Sequence, residues 1–157
     1  MPNKEDIVLM AHLMRRAGFG ETRDEIERLA GQGYEETVEQ LLDPESHLEA
    51  DMYLMGRYHP WADHPSAVDH HQMRWTYQMV MGDRPLLEKV ALFWHHVFAT
   101  GNAKVENPDE MVKEIDLFRE HGMGNFQNLV EQLAKNPAMI KWLDNNYNHK
   151  RANNENW

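Results

Sequence analysis

The sequence contains no cysteine, which removes disulfides, thiolate metal ligands and cysteine nucleophiles together. No uncharged apolar run approaches the ~20 residues of a membrane-spanning helix, and the N-terminus lacks the continuous apolar core of a signal peptide. Arg15-Arg16 is followed by Ala-Gly-Phe-Gly and a charged segment, so it does not read as a twin-arginine export signal. Basic residues are few: 16 Lys and Arg stand against 26 Asp and Glu, a formal net charge of -10. With no basic stripe to release counterions, neither nucleic acid nor an anionic membrane surface is an expected partner. Sustained period-two alternation is missing, so no sheet is expected, and no solenoid repeat is present. There is no Gly-rich phosphate loop, no GxSxG and no HExxH.

What the sequence does contain is helical periodicity. Its 157 residues are the length of one ordinary domain, enough to bury roughly two thirds of the unfolded surface. Ile7, Met10, Ala11 and Met14 recur at helical spacing over Asp6 to Ala17, with Gly18 and Gly20 as a stop. Thr22 to Glu25 has the form of a capping box ahead of Ile26, Leu29 and Ala30, and Tyr34 to Leu42 continues with Val38, Leu41 and Leu42. Glu45 to Pro65 reads as a long connection with one helical turn, and Ser66 as the cap of a helix running to Met81. Pro85 to Thr100, PLLEKVALFWHHVFAT, is apolar almost all the way round and predicts a buried central helix. Asn107-Pro108, Asn125 and Asn136-Pro137 are start signals for three more helices. The expected fold is all-α, an irregular bundle of about seven short helices around residues 85–100.

Ten histidines raise the question of metal or acid–base chemistry. His95 and His96 point about 100° apart on a helix, so they do not share one metal; His95 alone is a candidate acid/base or ligand, against the plainer role of a hydrogen-bonded core histidine. His12 on the first helix has the same two readings. His59, His64, His70 and His71 lie around Pro60 and Pro65, which prevents a helical ligand spacing, and solvent-exposed loop histidines are the simpler account. In the tail, Asp144, Asn146, Asn148 and Glu155 fall at EF-hand ligand positions, but His149 replaces the turn glycine and Lys150 and Arg151 add positive charge. Asn and Asp build such loops for purely structural reasons as well. The 11 methionines read as adaptable core filling. None of these patterns names a cofactor or a confident metal site.

Several strings together resemble one family. His12-Leu13-Met14-Arg15-Arg16-Ala17-Gly18-Phe19-Gly20, Leu92 to Thr100, Gly124-Asn125-Phe126, Asn136-Pro137-Ala138-Met139, Leu143-Asp144-Asn145 and Asn153-Asn154-Glu155-Asn156 are similar to the motifs of the bacterial domain-of-unknown-function 1800 family. The resemblance implies a predominantly helical protein without an established activity. Many relatives have Trp-His-x-His-Phe where this chain has His95-His96-Val97-Phe98, so its second histidine is displaced. Relatives continue past the last motif into a longer C-terminal part, so residues 1–157 are expected to be the N-terminal portion of a longer domain, docking on its C-terminal region. They often carry an export signal ahead of the first motif, whereas eleven residues precede His12; the compartment is left open. The motif positions that hold ionisable or hydrogen-bonding groups give the expected site: His95, Asp144 and Glu155 as catalytic candidates, with His12, Arg15, Asn145 and Asn154 as binding or orienting residues. The alternatives are a non-catalytic helical interaction module and a histidine-rich metal-binding domain.

Overall fold

Asn3 opens the first helix through a reciprocal cap: its side chain accepts from Asp6 N at 2.9 Å, and its own N–H donates to Asp6 Oδ2 at 3.1 Å. This computed structural model, which describes residues 2–59 and 67–150, thus starts α1 (Lys4–Ala17) two residues ahead of the expected Asp6. Thr22 caps α2 (Arg23–Gln32), and Gly33, at φ 123, turns the chain directly into α3 (Tyr34–Leu42). Only glycine adopts that φ without strain. Met10, Met14, Ile26 and Leu29 form the buried centre of this unit, with Ile7, Leu13 and Leu41 against them.

The connection after Leu42 holds more helix than expected. A 3-10 turn at Pro44–Ser46 is followed by α4 (Met52–Tyr58), capped by Asp51, whose side chain accepts from Leu54 N at 2.9 Å. Met55, 2% exposed, is the residue that ties α4 down. Arg84 anchors the same connection by donating from Nε and Nη2 to the His47 carbonyl at 3.0 and 2.8 Å.

α5 (Val68–Met81) and α6 (Pro85–Phe98) follow; the expected Ser66 cap lies outside the described residues. α6 packs against α1, α3, α5 and α8 (Pro108–His121), which makes it the hub of the fold. Its junction with α1 is close: a Cβ on Gly18 would stand 2.9 Å from Pro85 Cβ, and Lys89 donates to the Gly18 carbonyl at 2.9 Å. α6 is nevertheless open on one side, with Phe93 54% and Val97 48% exposed. An apolar circumference states how much of a helix tolerates burial, not how much its neighbours cover.

The expected polar link after Gly101 contains the one-turn α7 (Asn102–Val105), held by buried Val105. Asn107, Asn125 and Asn136 then cap α8, α9 (Phe126–Leu133) and α10 (Pro137–Trp142), as their sequence signals predict. Ala91, Phe118, Leu129, Leu133 and Met139 form a second buried cluster, flanked by Trp75, Trp94 and Trp142. Among the described residues the result is an all-α irregular bundle of ten α-helices with no strand. No described helix is long and apolar enough to cross a membrane.

Candidate functional site

Four elements leave a cleft of about 270 Å³ between them: α5, the C-terminal end of α6, α7 and α8. Val68, Trp75, Pro108, Met111, Val112 and Ile115 form apolar walls, and His71, Gln72, His95, Thr100 and Asn102 supply polar groups. The volume sits near the lower end of the ~300–1,000 Å³ usual for small-molecule sites. No Asp, Glu, Lys or Arg lines the cleft among the described residues.

His95 is brought there by the last turn of α6. Its ring meets the edge of Trp75 at a centroid distance of 5.6 Å and an interplanar angle of 75°. Nδ1 is buried without a hydrogen-bond partner among the described residues. Burial holds the imidazole below the ordinary histidine range, so its neutral form is favoured near neutral pH. The carbonyl end of α6 acts in the other direction, favouring the imidazolium that forms when the ring takes up a proton.

Trp75 is fixed from behind. Its indole N–H donates to Glu88 Oε2 at 2.7 Å, and Arg119 holds both oxygens of that carboxylate, from Nε at 2.8 Å and from Nη2 at 3.0 Å. Arg119 Nη2 also donates to Gln78 Oε1 at 2.9 Å. The network links α5, α6 and α8 around the ring that abuts His95. A two-point guanidinium–carboxylate contact fixes geometry as well as charge.

Below the cleft, the Thr100 hydroxyl donates to Glu114 Oε2 at 2.7 Å. Glu114 is fully buried, and its Oε1 has no partner among the described residues. Burial raises its carboxyl above the usual carboxylate range, and the Thr100 hydrogen bond opposes the rise only in part. Asn102 Oδ1 is likewise buried without a partner among the described residues. At the opposite rim, His71 Nε2 lies 3.7 Å from Asp109 Oδ1.

The other expected residues lie elsewhere or outside the described chain. Asp144, at φ 58, accepts from Lys104 Nζ at 2.6 Å, and the same ammonium donates to the Trp142 carbonyl at 2.7 Å. Because Lys104 and Asn102 are both on α7, Asp144 meets from outside the same turn that forms a wall of the cleft. Asn145 accepts from Asn148 Nδ2 at 3.0 Å within the tail turn. His12 and Arg15 are exposed on α1 beside Lys4, Glu5, Val8 and Leu9, away from the cleft. Glu155 and Asn154 lie outside the described residues, as does His64 of the histidine connection. Among the described residues no group of three or more His, Cys, Asp or Glu is placed to hold a metal ion.

A second cleft, of about 310 Å³, lies between α2, α3 and the α5–α6 turn. Its cations are already engaged: Arg28 grips Glu25 at 2.8 and 2.6 Å, and Arg84 bonds Glu49 at 2.9 Å. Glu21 there is raised by burial first and by the Glu25 charge second.

Sequence reasoning did not single out Trp75, Thr100, Asn102 or Glu114 as site residues. For Glu114 a signal exists, since it stands within the apolar stripe Met111, Ile115 and Phe118. Thr100 and Asn102 follow the helix end without any pattern of their own.

A family model described as Protein of unknown function (DUF1800) matches residues 12–157. No curated protein and no solved structure matches the chain.

Proposed function

Because the chain belongs to the DUF1800 family, described as proteins of unknown function, we propose a role from the geometry of the cleft: an acid–base site for a small molecule, with His95 as proton acceptor. The observation that carries this reading is an imidazole without a partner at Nδ1 among the described residues, at the wall of a cleft and braced by Trp75. A hydrogen-bonded core histidine would have its buried nitrogen satisfied. In this role His95 takes a proton from the bound molecule and is left as imidazolium. Thr100, oriented by Glu114, supplies a fixed hydroxyl nearby. Asp144 is a positioning residue that acts through Lys104 on α7. His12, Arg15 and Asn145 take no part in the cleft, and Glu155 and Asn154 are assigned no step.

Carbethoxylation by diethyl pyrocarbonate, mapped residue by residue with mass spectrometry, tests the reading, because the reagent acylates neutral, reachable imidazole. His95 is expected to react at neutral pH. An unreactive His95 beside a reactive His96 would make it an enclosed core residue and end the proposal.

A second reading, a helical interaction module, is supported by an exposed apolar ridge. Phe93 and Val97 of α6 are exposed, and so is Phe126 of α9, at 59%, whose ring lies tilted against Trp94 with 5.6 Å between centroids. Apolar faces of this kind mark docking surfaces. Sedimentation of the chain and its Phe126→Ser variant tests it, with self-association expected only in the former. Under either reading the charge of -10 makes nucleic acid an unfavourable partner.

A further inference from the structure

The chemistry of the cleft walls narrows the molecule it takes, on the reading that this cleft is the functional site. We propose that the ligand is uncharged, with an apolar body of about one ring and a single hydroxyl or amide group that donates to Asn102. Charge decides the first part. No formally charged side chain lines the cleft among the described residues, and the neighbouring cations are engaged, Arg119 by Glu88 and Asp116 and Lys104 by Asp144. An anion would find no Lys or Arg on the walls among the described residues and would face Asp109 beside His71 at the rim. A cation would find Asp109 only at the rim, beside His71, and Glu114 only behind Thr100. Desolvating either ion without a partner costs more than the apolar contacts return.

The apolar body follows from the walls. Trp75, Pro108, Met111 and Ile115 present ring and aliphatic surface across about 270 Å³, and such surface is recovered only by a ligand with matching apolar area. The polar end follows from Asn102. Its Oδ1 is shut in the wall without a partner among the described residues, a state that is costly for an amide oxygen. Asn102 lines the cleft, and a ligand O–H or N–H that reaches this oxygen satisfies it.

Four probes of one shape separate the possibilities: benzyl alcohol, toluene, benzoate and benzylammonium, each titrated by NMR into the isotope-labelled chain at neutral pH. Benzyl alcohol is expected to shift the Trp75 indole and the Thr100 and Ile115 amides, and to bind about fivefold or more tightly than the other three, the factor one hydrogen bond of ordinary net strength supplies. Asn102→Ala should bring benzyl alcohol down to toluene, with signals away from the cleft unchanged. Asn102→Asp should turn the preference toward benzylammonium, which keeps the test open if the alanine variant misfolds. Benzoate or benzylammonium binding as tightly as benzyl alcohol to the unaltered chain, or no probe shifting the cleft signals, overturns the proposal. Carbethoxylation run in parallel separates the two claims. A reactive His95 with benzoate preferred defeats the ligand class alone; an unreactive His95 with benzyl alcohol bound defeats the acid–base role alone.

Discussion

The Thr100 hydroxyl donates to Oε2 of a fully buried Glu114 across 2.7 Å, directly beneath the cleft that His95 lines. The pair joins the end of α6 to the middle of α8, and it makes the floor of the cleft sensitive to pH. Burial holds the Glu114 carboxyl above the usual carboxylate range, so the folded chain binds that proton more tightly than the unfolded chain does. The resulting stability is fully present below the unfolded pKa and is lost as pH rises through the folded one. Glu114→Gln removes the titration. Thermal unfolding from acid to neutral pH should therefore show the unaltered chain losing stability relative to Glu114→Gln as pH rises from near 4.5; a constant difference would contradict the assignment.

Glu88 and Arg119 form the buried ion pair that braces Trp75, with side chains 8% and 16% exposed. Removing Glu88 leaves Arg119 to Asp116 and Gln78 and leaves the Trp75 N–H without its acceptor, at a cost of about 1–3 kcal/mol. Urea unfolding of Glu88→Ala should show a loss of that size. Trp75→Phe, which keeps one aromatic ring but loses the pyrrole part and its N–H bond to Glu88, should cost about 1–3 kcal/mol.

Gly18 sits where α1 meets the start of α6, with 2.9 Å between Pro85 Cβ and the site of an added Cβ. Gly18→Ala must push the two helices apart, and overpacking of this kind costs about 1–3 kcal/mol. Chemical denaturation measures it.

Asp144 and Lys104 are partly exposed, 36% and 41%, so their ion pair contributes only about 0.5 kcal/mol. A double-mutant cycle of Asp144→Ala and Lys104→Met measures that coupling directly. If Asp144 acts on the cleft through α7, both single variants should weaken benzyl alcohol binding, and the double variant should weaken it no further.

Much of the bundle was legible because helix starts are local chemistry. Asn107, Asn125 and Asn136 each accept a backbone N–H from the first turn they introduce, and a cap needs no distant partner to be recognised. α4 was less legible because it is short, carries Gly56, and depends on Met55 reaching a core made by other segments. α7 is a single turn held by Val105, too short for periodicity. Within the site, His95 stood out as an imidazole in an apolar run, whereas its surroundings did not. Trp75 is 20 positions away and meets it only because α5 lies against α6. The link from Asp144 to the cleft runs through Lys104, a residue in an otherwise featureless segment.

The most direct test of the account is the ring titration of His95 by NMR, assigned against His95→Gln and compared with exposed His96 in the same sample. Burial holds His95 below the ordinary histidine range, so its midpoint should lie below that range, and bound benzyl alcohol should move it. The sign for stability agrees: a depressed folded pKa contributes stability above the unfolded value that is lost as pH falls through the folded one. A midpoint within or above the ordinary histidine range, unmoved by benzyl alcohol, would contradict a neutral proton acceptor in the cleft.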